Sequence, residues 1–335
     1  MSVNGACIFG CEGLVLGREE AAFFRAADPW GFILFARNVD TPAQVARLTA
    51  DLRASVGRDA PVFVDQEGGR VQRLRAPHWR EWLPPLDMVQ TAGIFAPRAM
   101  WLRYRLIAAE LRAVGIDGNC APTADIATAT THHFLRNRCY GSDLSNVVAV
   151  SREVANGLLS GGVLPVMKHI PGHGRASMDT HLELPRVTDA AEALRAVDFA
   201  AFRALNDLPL GMTAHIVFAA YDDSPSTCSP RMILLIRDEI GFQGLLMTDD
   251  LAMQALSGTL PQRAAASIAA GCDVVLHCNG TLAERQAVAD IAGPLTTAGQ
   301  ARADVALMWR HAPDLADLAA LDNELSAIMA GATHA

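Results

Sequence analysis

Short apolar runs alternate regularly with longer segments of helical periodicity along most of the chain. Most of the apolar runs are nearly continuous, which is typical of parallel strands that are covered on both faces. Eight alternating strands within about 280 residues favour a single-domain α/β fold, a TIM (β/α)₈ barrel, over an open doubly wound sheet, which stays the alternative. The eight predicted strands are residues 6–9, 31–35, 61–64, 118–121, 164–167, 208–212, 245–247 and 274–276.

Capping motifs mark the ends of several predicted helices. Residues 41–44 (Thr-Pro-Ala-Gln) predict a helix start, and Gly57 predicts the end of that helix. Asp189 and Ser229 are predicted to open two further helices. The segment 301–330 is rich in Ala and Leu and is predicted to be helical and to pack on the outside. Because we find no linker or internal repeat, we expect one catalytic domain over residues 1–335.

Charge and hydropathy exclude several classes of protein. The 335 residues include 28 basic and 36 acidic side chains, for a formal net charge of −8, which argues against nucleic acid or an anionic membrane as a partner. The longest uncharged runs have 14 residues, whereas a membrane-spanning helix needs roughly 18–20. We find no secretory signal, and the seven cysteines contain no CxxC pair. We therefore expect a cytoplasmic protein without a disulfide framework or a zinc ribbon.

Polar side chains follow four of the predicted strands, at the face where barrel enzymes place their active sites. Any one of them alone could be a capping carboxylate or a satisfied core histidine, but four such strand ends converge on one rim. These residues are Asp65, Lys168 with His169, His215, and Asp249 with Asp250.

The richest stretch, residues 168–181, holds one lysine, three histidines and an aspartate around a glycine-rich turn. Gly172 and Gly174 allow a ligand to approach the backbone closely. Asp179 and His181 are two residues apart, so an extended loop could direct both side chains to one side. A carboxylate beside an imidazole orients the ring and favours its charged form, which suits a proton donor.

Residues 65–73 (Asp-Gln-Glu-Gly-Gly-Arg-Val-Gln-Arg) form a second motif directly after a strand. A carboxylate accepts hydrogen bonds from vicinal sugar hydroxyls, and arginine donates a planar fork of hydrogen bonds. Asp65 and Arg73 could therefore bind a sugar, while Glu67 and Arg70 could form a salt-bridged turn.

Two adjacent acids, Asp249 and Asp250, form a third motif at the end of a buried strand. An aspartate held by a sheet is a credible nucleophile, because the strand fixes its position. One acid can face the centre while the other turns towards the protein, and the residues alone do not choose between them.

Together these motifs resemble the bacterial β-N-acetylhexosaminidases of glycoside hydrolase family 3. The resemblance implies a TIM-barrel exo-glycosidase that removes terminal β-linked N-acetylglucosamine with retention of configuration. The similar segments run in order: GFILFARN at 31–38, DQEGGRVQR at 65–73, RNRCYGSD at 136–143, KHIPGHG at 168–174, DTH at 179–181, MTAHIVF at 212–218, MTDDLAM at 247–253 and AAGCDVVLHC at 269–278.

The resemblance also implies roles for individual residues. Asp249 matches the catalytic nucleophile, and His181 matches the acid/base with Asp179 as its partner. His215 is expected near the pocket without a definite role. The residues that match sugar-binding positions of the −1 site are Asp65, Arg73, Arg138, Lys168 and His169.

The mechanism that the resemblance implies passes through a covalent glycosyl-enzyme and needs no metal or cofactor. The family's bacterial members act in peptidoglycan recycling on muropeptide fragments, N-acetylglucosamine linked to anhydro-N-acetylmuramic acid with or without peptide. We expect the same amino-sugar partner here and a monomeric chain, with no membrane partner.

Rival interpretations keep the same residues. The chain could be a metal-dependent hydrolase of the amidohydrolase type, whose activity a chelator would remove, or a barrel that binds amino sugars without turnover. A family member could also use phosphate in place of water, and formation of a sugar 1-phosphate would reveal it. The candidate metal ligands are His169, His173, Asp179, His181, His215 and Asp249.

Overall fold

The structure is a computed structural model that describes residues 3–176 and 183–331. The strands of the described residues are β1 (Gly5–Gly10), β2 (Pro29–Leu34), β3 (Val62–Val64), β4 (Gly118–Asn119), β5 (Leu164–Ile170), β6 (Arg186–Val187), β7 (Leu210–Thr213), β8 (Val217–Phe218), β9 (Leu245–Asp250) and β10 (Val274–His277). Eight of these strands close into a parallel barrel in the order β1-β10-β9-β7-β5-β4-β3-β2, and β6 pairs with β8 outside it. All eight predicted strands overlap barrel strands, so the predicted TIM barrel is confirmed.

Helices surround the barrel and connect its strands. The helices in the described part of the chain are α1 (Arg18–Ala27), α2 (Pro42–Val56), α3 (Pro85–Ala92), α4 (Ala96–Ala113), α5 (His133–Arg136), α6 (Leu144–Ser160), α7 (Ala191–Ala196), α8 (Asp198–Arg203), α9 (Pro230–Asp238), α10 (Leu260–Ala270), α11 (Leu282–Ala292), α12 (Thr297–Met308) and α13 (Leu318–Met329). None of these helices is long and apolar enough to cross a lipid bilayer.

Buried strands explain why the apolar runs are continuous instead of alternating. Every residue of β2, β3, β5 and β10 is buried, because one face of each strand fills the barrel and the other contacts helices. Gly118 of β4 shows how tightly the interior is packed: a Cβ atom there would lie 2.2 Å from Cδ1 of Phe63. Any side chain at position 118 would displace the phenylalanine ring of the neighbouring strand.

The predicted ends of two helices are confirmed by their capping hydrogen bonds. The Thr41 side chain accepts a hydrogen bond from the backbone N–H of Gln44, and α2 ends at Gly57 with a φ of 67°. Ser229 likewise accepts from the backbone N–H of Met232 at the start of α9.

One helix prediction is wrong. Asp189 does not cap α7, which begins at Ala191 without a side-chain cap; the Asp189 carboxylate lies 2.7 Å from Nη1 of Arg175 instead. The segment 301–330, for which helical structure was predicted, contains parts of two helices, because α12 ends at Met308 and α13 begins at Leu318. Pro313 lies in the break and lacks the N–H that a continuous helix would need. Helix α13 packs on α4 at the outside of the barrel.

Candidate active site

A cavity of about 500 Å³ opens at the carboxyl ends of the barrel strands. That is the face at which barrel enzymes carry out their chemistry. Six residues predicted to act on substrate line it: Asp65, Arg73, Arg138, Lys168, His169 and Asp249.

A network of ion pairs forms one wall of the cavity. The Lys168 ammonium nitrogen lies 2.9 Å from Oδ1 of Asp65 and 2.6 Å from Oε1 of Glu67. The Arg138 guanidinium donates two hydrogen bonds of 2.8 Å to the two oxygens of Glu67, and Arg73 donates one of 3.0 Å to Asp65. Two carboxylates and three cations thus hold one another in place, as bidentate pairs do.

Electrostatics keeps this network ionised. Burial alone would raise the pKa of Asp65, but Lys168 and Arg73 outweigh burial and hold that pKa below its usual range. Burial likewise opposes the charge of Glu67, yet Arg138 and Lys168 lower its pKa to about 2. Burial would lower the pKa of Lys168, while Asp65 and Glu67 raise it instead. The wall therefore presents fixed charges near neutral pH.

The two adjacent acids at the end of β9 differ in their partners. Asp250, which also lines the cavity, accepts hydrogen bonds of 3.1 Å on its Oδ1 from the backbone N–H groups of Ala252 and Cys278. Asp249 accepts one from its neighbour, the backbone N–H of Asp250, at 2.8 Å. Asp249 is therefore the acid with more capacity left for a ligand.

The pKa values of these two acids are shifted in opposite directions. Burial would raise the pKa of Asp249, but the nearby His169 and His215 rings lower it overall. Burial raises the pKa of Asp250, and its hydrogen bonds from Cys278 and Ala252 do not reverse the shift. A nucleophile must be ionised, so the pKa directions also favour Asp249 over Asp250.

His215 lies beside the cavity but is absent from its lining. Its Nδ1 is 2.7 Å from Oγ1 of Thr227, and its Nε2 is 3.1 Å from the carbonyl oxygen of Asp250. The ring therefore joins β9 to the chain after β8. His215 therefore contacts the backbone of the acid pair at Asp250.

Asp179 and His181, the predicted acid/base pair, lie outside the described residues, so their predicted roles stay predictions. Among the residues that the structure does describe, no group of three or more His, Cys, Asp or Glu side chains is arranged to hold a metal ion. Two of the six candidate metal ligands are this pair, so the metal interpretation is also left to experiment.

Sequence reasoning missed several residues of the site. Asp125 is buried, and its Oδ2 lies 2.7 Å from Nδ1 of His169. Arg37 and Asn279 line the opposite rim, where the guanidinium of Arg37 also donates to the carbonyl of Cys278. The motif that contains Arg37 was visible, but its position at the cavity depends on the pairing of β1 with both β2 and β10.

Several known proteins are similar to this chain in sequence and in fold. The Glycosyl hydrolase family 3 N terminal domain matches residues 18–306. A protein named Beta-hexosaminidase from Alkalilimnicola ehrlichii is 38% identical over 286 residues, which cover 82% of this chain and 81% of that protein. Another Beta-hexosaminidase, from Tolumonas auensis, is 34% identical over 283 residues, covering 82% and 83% of the two chains. The crystal structure of native NagZ from Neisseria gonorrhoeae matches with a TM-score of 0.83 and 28% identity, covering 98% of this chain and 96% of that one.

Proposed function

The chain belongs to glycoside hydrolase family 3 and is a β-N-acetylhexosaminidase, and from this premise we propose that it removes terminal β-linked N-acetylglucosamine with retention of configuration. The observation that carries the proposal is the position of Asp249. Its carboxylate lies near the carboxyl end of β9, at a cavity whose other wall is built from Asp65, Lys168 and Arg138. A retaining glycosidase needs a nucleophilic carboxylate close to the charged side chains that bind the sugar hydroxyls.

The first chemical step forms one bond and breaks another. Asp249 attacks the anomeric carbon, and the glycosidic bond breaks as its oxygen takes a proton from the acid/base, which we propose is His181. In the second step a water molecule gives its proton back to that group and attacks the same carbon, which releases Asp249 and the sugar. The lowered pKa of Asp249 favours this reaction because it keeps the nucleophile ionised.

The charged wall contributes by fixing the sugar ring. Asp65 can accept hydrogen bonds from sugar hydroxyls, while Arg73 and Lys168 donate them. Because their mutual ion pairs already order these groups, little reorganisation is needed when substrate binds. That order supports their assignment to the −1 site, together with Arg138 and His169.

We further propose that the natural substrate is a muropeptide fragment, N-acetylglucosamine linked to anhydro-N-acetylmuramic acid with or without peptide. The leaving group of such a substrate carries a carboxylate or a peptide. The half-buried Arg37 and the exposed Arg70 supply positive charge at the cavity rim, which supports an anionic leaving group. The cytoplasmic location and the monomeric state stay predictions.

A mechanism-based inhibitor tests the nucleophile directly. A 5-fluoro glycosyl fluoride of N-acetylglucosamine should form a stable adduct, because fluoride leaves easily and the ring fluorine slows the second step. Peptide mass spectrometry should place the sugar on Asp249, and a crystal of the adduct should show the bond to C1. An adduct on Asp250, or on any other side chain, would overturn the assignment.

The acid/base assignment needs a separate test because its residues are not described. Replacement of His181 by alanine should slow substrates with poor leaving groups far more than nitrophenyl N-acetyl-β-glucosaminide, because nitrophenolate departs without a proton. Equal losses on both kinds of substrate would remove His181 from this role.

A further inference from the structure

Asp125 is a buried carboxylate that serves two histidines next to the cavity. It lies six residues after Asn119, the last residue of β4, and its exposed fraction is 0%. Its Oδ1 accepts hydrogen bonds from the backbone N–H groups of His169, at 3.3 Å, and His173, at 2.7 Å. Its Oδ2 lies 2.7 Å from Nδ1 of the His169 ring.

The ionised state of Asp125 decides where the His169 ring carries hydrogen. Burial would raise the pKa of Asp125, but the neighbouring His169 and His173 lower it overall. An ionised carboxylate can only accept hydrogen bonds, so Nδ1 of His169 must be the donor. At a pH where the ring carries a single hydrogen, that hydrogen lies on Nδ1 and Nε2 is an acceptor.

The other ring nitrogen of His169 is available to a ligand. The ring lines the cavity, and in the described part of the chain Nε2 has no hydrogen-bond partner. The cations that line the cavity, Arg73 and Lys168 among them, can donate hydrogen bonds to the hydroxyls of a bound sugar. A hydroxyl that accepts from such a cation must give its own hydrogen to an acceptor, which Nε2 of His169 can be.

We infer that Asp125 is a positioning residue for sugar recognition: it holds the hydrogen of His169 on Nδ1 and so makes Nε2 an acceptor for a substrate hydroxyl. The kinetic test of this inference rests on the proposed function, whereas the NMR test of the His169 tautomer does not. The competing explanation is that Asp125 only pins the backbone at His169 and His173.

The variant Asp125→Asn separates these explanations because it changes the tautomer while preserving the shape. If the carboxamide oxygen keeps the two backbone hydrogen bonds, its NH₂ group faces Nδ1 of His169. That nitrogen must then accept, and the hydrogen moves to Nε2. The cavity thereby loses an acceptor and gains a donor without loss of the ring.

Nitrogen-15 NMR of histidine-labelled protein at mildly alkaline pH reads the tautomer, and loss of one signal set in His169→Ala assigns the ring. We expect hydrogen on Nδ1 in the wild type and on Nε2 in Asp125→Asn. Hydrogen on Nε2, or on both nitrogens, in the wild type would overturn the inference. So would an inactive Asp125→Asn variant with an unchanged tautomer.

Kinetics provides the second readout. Asp125→Asn should lower kcat/KM on nitrophenyl N-acetyl-β-glucosaminide roughly 10- to 100-fold, as expected when a buried hydrogen-bond pattern is mismatched. In the His169→Ala background the same change should cost no further activity, because the two residues act as one unit. Additive losses would show that Asp125 only holds the backbone at His169 and His173, which would contradict the inference.

Asp117→Asn is the matched control, since Asp117 is also a buried carboxylate but lies at the opposite end of the barrel. It should leave the His169 tautomer and KM unchanged, and a tautomer change in this control would contradict a specific role for Asp125. If the wild-type protein released no nitrophenol, the proposed function would fail, while the NMR result would still decide the inference.

Discussion

Buried carboxylates with basic partners occur at both ends of the barrel. At the amino end, Asp117 accepts a hydrogen bond of 2.7 Å from the backbone N–H of Val62, and its Oδ2 lies 3.0 Å from Arg53 and 2.7 Å from Arg310. At the carboxyl end, Asp65 contacts Lys168 and Arg73 at similar distances. Judged by residue type alone, the two clusters look alike.

The two clusters differ in what lies next to them. Asp273, also at the amino end, is satisfied by Arg237, Arg302 and the backbone N–H of Leu246. At the carboxyl end, Asp249 and His169 keep hydrogen-bonding capacity and face a cavity. Ion pairs whose partners all lie within the protein stabilise the fold. Side chains that line a cavity and keep hydrogen-bonding capacity can bind a ligand.

The largest effect should follow from removal of the nucleophile. Asp249→Asn should lower kcat by roughly 10⁴-fold or more, because the carboxylate acts together with the acid/base. Steady-state release of nitrophenol measures the loss, with Asp117→Asn as the control from the other end of the barrel. A loss of kcat below tenfold would show that Asp249 is not the nucleophile.

Glu67→Gln should damage both stability and binding. The change removes a carboxylate from Lys168, whose side chain is only 2% exposed. Removal of one partner from such a buried ion pair costs about 3–5 kcal/mol in the free energy of unfolding. KM should rise because both cations line the cavity. Urea denaturation and kinetics measure the two effects, and an unchanged KM would show that the wall does not depend on Glu67.

Asp117→Asn should have a smaller effect, limited to stability. The Arg53 and Arg310 side chains are 18% and 14% exposed, so water can replace part of the lost interaction. We expect the free energy of unfolding to fall by about 1–3 kcal/mol, with kcat and KM unchanged. A changed KM would mean that the ion pairs at the amino end influence the cavity, and the two ends would not be independent.

The smallest effect concerns the pH dependence of stability. The pKa of Glu67 falls from 4.5 to about 2 on folding, so its contribution is complete above 4.5 and is lost as the pH falls towards 2. Between these values the wild type should lose stability faster than Glu67→Gln, by at most about 1.4 kcal/mol per pH unit. Urea unfolding across this acidic range measures the slopes, and equal slopes would contradict the lowered pKa.

Residues that follow strands directly could be found from the sequence. Asp65, Lys168 and Asp249 were predicted because buried runs end at or beside them. Asp125 was not, because it lies beyond a strand of two residues, and only its contact with His169 shows its importance. Asp189 was misassigned because a long-range ion pair with Arg175 replaces the local cap.

The barrel and the residues at its carboxyl end could be predicted from the sequence, because burial patterns and capping motifs depend on neighbours within a few positions. The strand pattern did not distinguish Asp249 from Asp250, and only the family resemblance favoured Asp249. The tertiary structure adds a physical difference between them, because the backbone N–H of Cys278, just after the next strand, donates a hydrogen bond to Asp250. Whether a polar group is satisfied depends on partners distant in sequence, which local patterns do not encode.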